Sequence, residues 1–282
     1  MRPVIRVWVN GDLCDSDRAA LSAIDHGVTV GDGVFETCKV VRGEVFAATR
    51  HRARLRRSAA GLGLPALDEA MLDAGIKAVL NAGDRIEFGR LRYTVTGGPG
   101  PLGSDRGDAA PSYIVTAAEA PRPARTGSLA VTPWTRNERS AVAGLKTTSY
   151  AENVVALAHA HERGAIEAVF ANTRGELCEC TGSNVFVVVG GEILTPPLSS
   201  GCLAGITREL AIEWCRDEGI PVVEEALPLS VLHTCSEVFI TSSTRDILPV
   251  SQVDGRSFPA PGPVTARAAD IFAARSAADL DP

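Results

Sequence analysis

Residues Gly144 to Asn153 read GLKTTSYAEN and set a lysine among small and hydroxylated residues just ahead of a helical pattern. Ser149 and Glu152 stand at the S-x-x-E spacing of a capping box, in which a hydroxyl and a carboxylate satisfy the first N–H groups of a helix. The spacing predicts a helix that starts at Tyr150, runs through AENVVALAHAHERG and stops near Gly164. Upstream, LAVTPW has the character of a strand, so Lys146 falls in irregular backbone between a strand and a helix. Lysine is scarce: of 28 Lys and Arg residues, only Lys39, Lys77 and Lys146 are lysine. A loop ammonium beside a cavity can lose its proton and attack a carbonyl, which a guanidinium cannot do. The competing reading of Lys146 is an ordinary surface lysine. Lys77, on a predicted amphipathic helix, and Lys39, in a hairpin strand, fit a solvated role.

Working outward from this segment, strands at AVFANT, NVFVVV and EILTP lead to a helix from Ile206 to Asp217. Strands at PVVEEA and EVFITS and a last helix in VTARAADIFAAR follow. On the N-terminal side, VIRVWVNGDLCD alternates and breaks at Asn10-Gly11, a hairpin signal, and FETCKVVRGEVFAA turns at Arg42-Gly43. RHRARLRRSAAGLG changes to helical spacing with Gly63 as its stop, a second helix covers LDEAMLDAGIKAVLNAG, and RIEFGRLRYTVTG and SYIVTAAE return to strand. The pattern is α+β throughout. The Pro-, Ala- and Arg-rich segment 118–127 separates two halves, giving an N-terminal domain 1–120, a linker 121–127 and a C-terminal domain 128–282.

With 282 residues and 45% hydrophobic content, the chain can bury a substantial core. A formal charge of -6 disfavours nucleic acid and anionic membrane as partners, leaving small molecules. Seven cysteines lie without CxxC pairing or zinc-site spacing and read as reduced, mostly buried thiols, so no metal is expected. The N-terminus lacks the apolar run of a signal peptide, and no stretch reaches the roughly 20 apolar residues of a membrane span, so a cytoplasmic location is expected.

Four further constellations can carry chemistry. Glu179, between Cys178 and Cys180, is expected to be partly buried, where a carboxylate needs a partner: a protonated pyridine nitrogen or a structural arginine. Asn184, five residues on, is a turn residue or a polar anchor. SSGCLAGITRELAIEW runs a glycine-containing loop straight into a helix, so the N–H groups around Gly205, Ile206 and Thr207 form either a phosphate cradle or a plain capped turn. In RHRARLRRSA, Arg54 precedes the apolar Leu55 and can turn inward to fork a phosphate, and in FITSSTRDILPV the hydroxyls of Ser242, Ser243 and Thr244 can also bind one. Gly98 to Gly103 satisfies G-x-G-x-x-G, yet its two prolines and the following SDRGDAAP exclude the helix that a dinucleotide site needs.

Together these motifs resemble the fold-type IV pyridoxal-phosphate enzymes, the class IV aminotransferase family, from NGDLCD to DILPV. DHGVTVGDGVFET, residues 25–37, is similar to the family's N-terminal signature, and HRARL to its phosphate-arginine helix. The resemblance implies a small N-terminal α+β domain, a larger C-terminal pseudo-barrel α+β domain, a homodimer, and pyridoxal 5'-phosphate as cofactor. It also implies that Lys146 binds the cofactor aldehyde covalently, that Glu179 faces the pyridine nitrogen, and that Arg54, Ile206, Thr207, Ser243 and Thr244 hold the phosphate. Phe35 falls where the family lines the substrate pocket, with Asn184 added as a polar contact. D-amino-acid aminotransferases of the family use an Arg-x-His pair in the loop corresponding to TGGPGPLGSDRGD, which here has no histidine. GDGVFET with PWTRNERSAVAGLKTTSYAENVVALA resembles bacterial 4-amino-4-deoxychorismate lyases, which release pyruvate and 4-aminobenzoate; lyase activity is therefore expected, with a branched-chain or D-amino-acid aminotransferase as the alternative. A non-catalytic descendant is disfavoured because Lys146, Glu179, Arg54 and Thr207 are all present.

Overall fold

A computed structural model describes residues 4–18 and 20–282 and divides the chain into two compact units. The first comprises Met1–Arg122, Leu145–Tyr150 and Leu280–Pro282; the second comprises Pro123–Gly144 and Ala151–Asp279. Besides the boundary at 122–123, within the predicted linker, the chain therefore changes units around the Lys146 segment and again near its C-terminus.

In the first unit the two predicted hairpins form where their turn residues place them. Strand β1 (Arg6–Val9) pairs with β2 (Asp12–Cys14), and β3 (Gly33–Val41) with β4 (Glu44–Val45). Asn10 and Arg42 adopt left-handed backbone before Gly11 and Gly43. A short helix α1 (His26–Thr29) is capped by Asp25, and α2 (Ala48–Leu62) and α3 (Glu69–Asn81) follow. The α2 stop is Gly63, left-handed as the pattern predicts. With β5 (Phe88–Thr96) and β6 (Ser112–Glu119) the antiparallel sheet has the order β2-β1-β6-β5-β3-β4.

Successive side chains alternate between sheet faces, so β3 is two-sided. Val34, Glu36, Cys38 and Val40 share one face and are fully buried, and the helices supply the rest of that core with residues such as Leu55 and Leu72. Phe35, Thr37 and Lys39 share the other. Lys39, expected in solvent, is only 5% exposed, with its ammonium 4.5 Å from the centroid of the Phe46 ring. Its long stem follows apolar surface, which a hairpin-strand assignment alone does not foresee.

The second unit is built on a nine-stranded half-barrel sheet. Its elements are β7 (Gly127–Arg136), α4 (Ala151–Glu162), β8 (Glu167–Asn172), β9 (Leu177–Cys180), β10 (Asn184–Val189), β11 (Glu192–Thr195), α5 (Ile206–Asp217), β12 (Val222–Glu224), β13 (Glu237–Ser242), β14 (Asp246–Val253), β15 (Arg256–Ser257) and α6 (Pro263–Ala278). The strand order is β12-β11-β10-β13-β14-β7-β8-β9, with β15 on β14. Parallel pairs β7–β8 and β14–β7 sit beside antiparallel hairpins, and Phe186 stacks on Phe239 at 4.7 Å in the core. Helix α4 begins at Ala151, and the predicted capping-box residues act elsewhere: Ser149 donates to the Gly31 carbonyl at 2.9 Å, and Glu152 pairs with Arg136. Both units mix helix and strand, the α+β class expected.

Candidate active site

Lys146 belongs to the first unit, on a segment locked to the free edge of β3. Phe35 N–H donates to the Lys146 carbonyl at 3.0 Å, Thr148 N–H to the Gly33 carbonyl at 2.8 Å, and Lys146 N–H to Ser58 Oγ on α2 at 3.1 Å. Gly33 is required for this approach, since a Cβ there would lie 3.0 Å from Thr148 Oγ1 and 2.9 Å from the Val95 carbonyl. The lysine backbone is thus fixed, and its Nζ lies 4.4 Å from the centroid of the Phe35 ring and 5.9 Å from that of Tyr150. Tyr150 packs edge-on to Phe35 at 5.2 Å. Tyr150 was missed as a site residue in the sequence, although it stands four positions after Lys146.

Arg92 also lies over the Phe35 ring, its Cζ 3.6 Å from the centroid. It was not foreseen either: only the register, which sets Phe35 opposite Thr94 and Thr37 opposite Arg92, puts it on that face. Burial pulls its guanidinium below the ordinary arginine value.

Arg54 turns inward, as Leu55 beside it suggests, and is 4% exposed. Its fork holds Glu36, with Nε 2.8 Å from Oε1 and Nη2 2.6 Å from Oε2, while His51 Nδ1 lies 2.7 Å from Oε2. Glu36 lies on the opposite face of β3 from Phe35. Burial pushes its carboxyl up, but the charge and hydrogen bond of Arg54 prevail and hold it at about 2. The Glu36–His51 pair, whose glutamate lies inside the quoted GDGVFET, was a residue set the sequence did not single out.

In the second unit, Glu179 stands on β9 between the buried Cys178 and Cys180, with its side chain 15% exposed. Leu203 N–H donates to Oε2 at 2.9 Å, and Arg136 Nε lies 3.5 Å from Oε1 without a hydrogen bond. Cys180 belongs to the core, and the Thr181 hydroxyl donates to Glu167. Burial raises the thiols of Cys178, Cys180 and Cys202 above the ordinary value, which keeps them protonated.

Asn184 donates to the Leu203 carbonyl at 2.8 Å and so braces the loop that enters α5. Gly205 is the N-cap of that helix and offers no side-chain cap, leaving the first N–H groups of Ile206 and Thr207 without one. A Cβ at Gly205 would collide with Asn184 Oδ1. Ser243 and Thr244 fall in the turn between β13 and β14, where Arg245 Nε donates to Ser242 Oγ at 3.0 Å.

Within each unit the residues therefore group by chemistry. The first holds a primary amine against aromatic rings; the second holds a carboxylate and an uncapped helix start. An amine for an aldehyde, a carboxylate for a basic ring nitrogen and helix N–H groups for a phosphate are the donors that pyridoxal 5'-phosphate needs, so the residues present fit that cofactor. Among the described residues no helix is long and apolar enough to cross a membrane, and no His, Cys, Asp and Glu cluster suits a metal ion.

A branched-chain-amino-acid aminotransferase, provisionally so named, from Methanocaldococcus jannaschii is 35% identical over 258 residues, 89% of each chain. A D-alanine aminotransferase from Bacillus licheniformis is 33% identical over 93% of each. A branched-chain aminotransferase from Thermoproteus uzoniensis, solved with norvaline, superposes with a TM-score of 0.87 at 29% identity, covering 95% of this chain and 93% of that one. A Legionella pneumophila structure provisionally named 4-amino-4-deoxychorismate lyase gives a TM-score of 0.83 at 26% identity, covering 92% and 96%. The model of the family described as amino-transferase class IV matches residues 33–253, most of the chain, and the chain belongs to that family of pyridoxal-phosphate enzymes.

Proposed function

We propose that this protein is an aminotransferase, transferring the amino group of a branched-chain or D-amino acid to a 2-oxo acid. The observation that carries the reading is Lys146: its backbone is fixed by two hydrogen bonds, to Phe35 and to Ser58, and its amine lies against Phe35 and Tyr150. The lyase expectation has less behind it, because that name occurs on a structure 26% identical to this chain while relatives at 35% and 33% are named aminotransferases. Between the two amino-acid classes, the loop around Gly98–Asp108 favours the branched-chain one. It has no histidine, and its sole arginine, Arg106, holds Asp32 and the carbonyls of Leu62 and Gly63.

When bound, the cofactor supplies an aldehyde to hold the amino group and a ring to withdraw electrons. In our reading Lys146 Nζ is the attachment point and then carries the proton to and from the reacting carbon. Glu179 keeps the ring nitrogen protonated. Arg54, oriented by Glu36, with Ile206, Thr207, Ser243 and Thr244 holds the phosphate, and Phe35 and Asn184 serve the substrate side. A cytoplasmic homodimer completes the proposal, consistent with seven free thiols.

The test is the visible spectrum of the purified protein with borohydride and then with leucine, D-alanine and aminodeoxychorismate. Conversion of the bound cofactor to its amine form by an amino acid, reversed by a 2-oxo acid, supports amino transfer. Release of 4-aminobenzoate without that conversion would restore the lyase reading.

A further inference from the structure

We infer that Asp281 supplies the N-terminal cap of α2 and so fixes the first turn of that helix for phosphate binding by Arg54, an inference that rests on the assignment of Arg54 to the cofactor phosphate. Helices α1 and α3 are capped by residues at their own starts, Asp25 and Asp68, whose carboxylates accept from Gly27 N–H and Met71 N–H. The N-cap position of α2 is Ala47, which has left-handed backbone and only a methyl group to offer. The residues that serve this helix come from elsewhere in the chain. Leu280–Pro282 belong to the first unit, and Asp281 stands 232 positions from Thr49. Ala47 N–H donates to the Leu280 carbonyl at 2.7 Å, Thr49 N–H to Asp281 Oδ1 at 2.8 Å and Thr49 Oγ1 to Asp281 Oδ2 at 2.6 Å. Arg50 Nε lies 2.8 Å from the main-chain oxygen of Pro282.

A capping carboxylate meets one of the first N–H groups, which have no partner inside the helix, and its charge suits the positive end of the helix dipole. Without such a cap a first turn frays. In α2 that turn ends at His51, whose N–H makes the first bond of the helix, to the Ala47 carbonyl at 3.0 Å. His51 Nδ1 and Arg54 Nη2 share Glu36 Oε2, at 2.7 Å and 2.6 Å. His51 and Arg54 stand three positions apart, the spacing of neighbours on one helix face. Loss of the first turn therefore takes one donor from the carboxylate that orients the Arg54 fork. The bonds of Asp281 lie at the surface while the Glu36 cluster is buried, so the cap acts on the fork through the helix and not by contact.

Fluorescence titration of the protein, freed of cofactor, with pyridoxal phosphate and with pyridoxal, which keeps the aldehyde and ring but lacks the phosphate, tests this. The ratio of the two affinities reads the phosphate grip alone. Asp281→Ala is expected to lower that ratio about fivefold, the scale of one lost helix cap, with the affinity for pyridoxal unchanged. Asp281→Asn, whose amide oxygen also accepts from an N–H group, should restore most of it. An unchanged ratio in Asp281→Ala, an equal loss for both ligands, or an Asp281→Asn variant no better than Asp281→Ala overturns the proposal. The double variant Glu36→Gln/Arg54→Gln, which removes both charges of the buried pair together, tests the underlying assignment. If it keeps the ratio while Asp281→Ala lowers it, the phosphate site depends on the cap through another residue of α2, and only the role given to Arg54 fails.

Discussion

Glu36 and Arg54 form a two-point ion pair in the core of the first unit, Nε to Oε1 at 2.8 Å and Nη2 to Oε2 at 2.6 Å. Because the carboxylate is ionised and accepts only, the hydrogen shared with His51 sits on His51 Nδ1. Burial lowers the His51 value, so the imidazole stays neutral.

This network predicts an acid sensitivity with a definite sign. Glu36 has a folded value of about 2 against an ordinary 4.5, so its contribution is complete above 4.5 and is lost as pH falls through 2. His51, lowered from 6.5, adds destabilisation of the same sign once pH drops below 6.5. Urea unfolding at pH 7 should show Glu36→Gln destabilised by about 3–5 kcal/mol, the usual cost of breaking a buried pair. The variant should also lose most of the wild type's decline between pH 4.5 and 2; an undiminished decline would refute the assignment.

Lys146→Ala should fold with an unchanged melting temperature, since the bonds of residue 146 to Phe35 and Ser58 are made by its backbone. It should lose the borohydride-reducible band and at least about 10²-fold in amino transfer. Mass spectrometry of the reduced protein should find the adduct on residue 146 in the wild type and nowhere in the variant.

Gly205→Ala forces a methyl group into Asn184 Oδ1 at the start of α5. Overpacking of this kind costs about 1–3 kcal/mol, and here it also shifts the N–H groups assigned to phosphate. Fluorescence titration of the cofactor-free protein should give weaker binding of pyridoxal phosphate. Unaltered affinity would move the phosphate site away from α5.

Glu167 is buried and accepts from Thr181 Oγ1, Gly182 N–H and Ser183 Oγ while pairing with Arg245, which ties the β9–β10 turn to β8. Glu167→Ala leaves those donors and a cation unmatched, and about 3–5 kcal/mol of stability should vanish in thermal or urea melts. Cofactor affinity should fall too, because that turn lies between Glu179 and Asn184.

Local signals in the sequence carried far. The turns at Asn10-Gly11 and Arg42-Gly43, the stop at Gly63 and the span Ile206 to Asp217 are all where short-range rules put them. What depends on long-range pairing was not legible. β14 was missed because Pro249 interrupts its pattern, and the Ser149 hydroxyl bonds to Gly31, more than a hundred positions away. The site followed the same division: Lys146, Glu179 and Thr207 stand in recognisable motifs, whereas Arg92 faces Phe35 only through the register of β3 and β5.

The two-sided construction of β3 separates what can vary from what cannot. Phe35 and Thr37 look onto the side where substrate is expected, while Glu36 and Cys38 sit in the core that anchors Arg54. Replacements on alternate positions of one strand can therefore retune which amino acid is accepted without disturbing the scaffold behind it. A selection for new substrates should gather its changes at odd-numbered positions of Gly33–Val41 and leave the even-numbered ones alone.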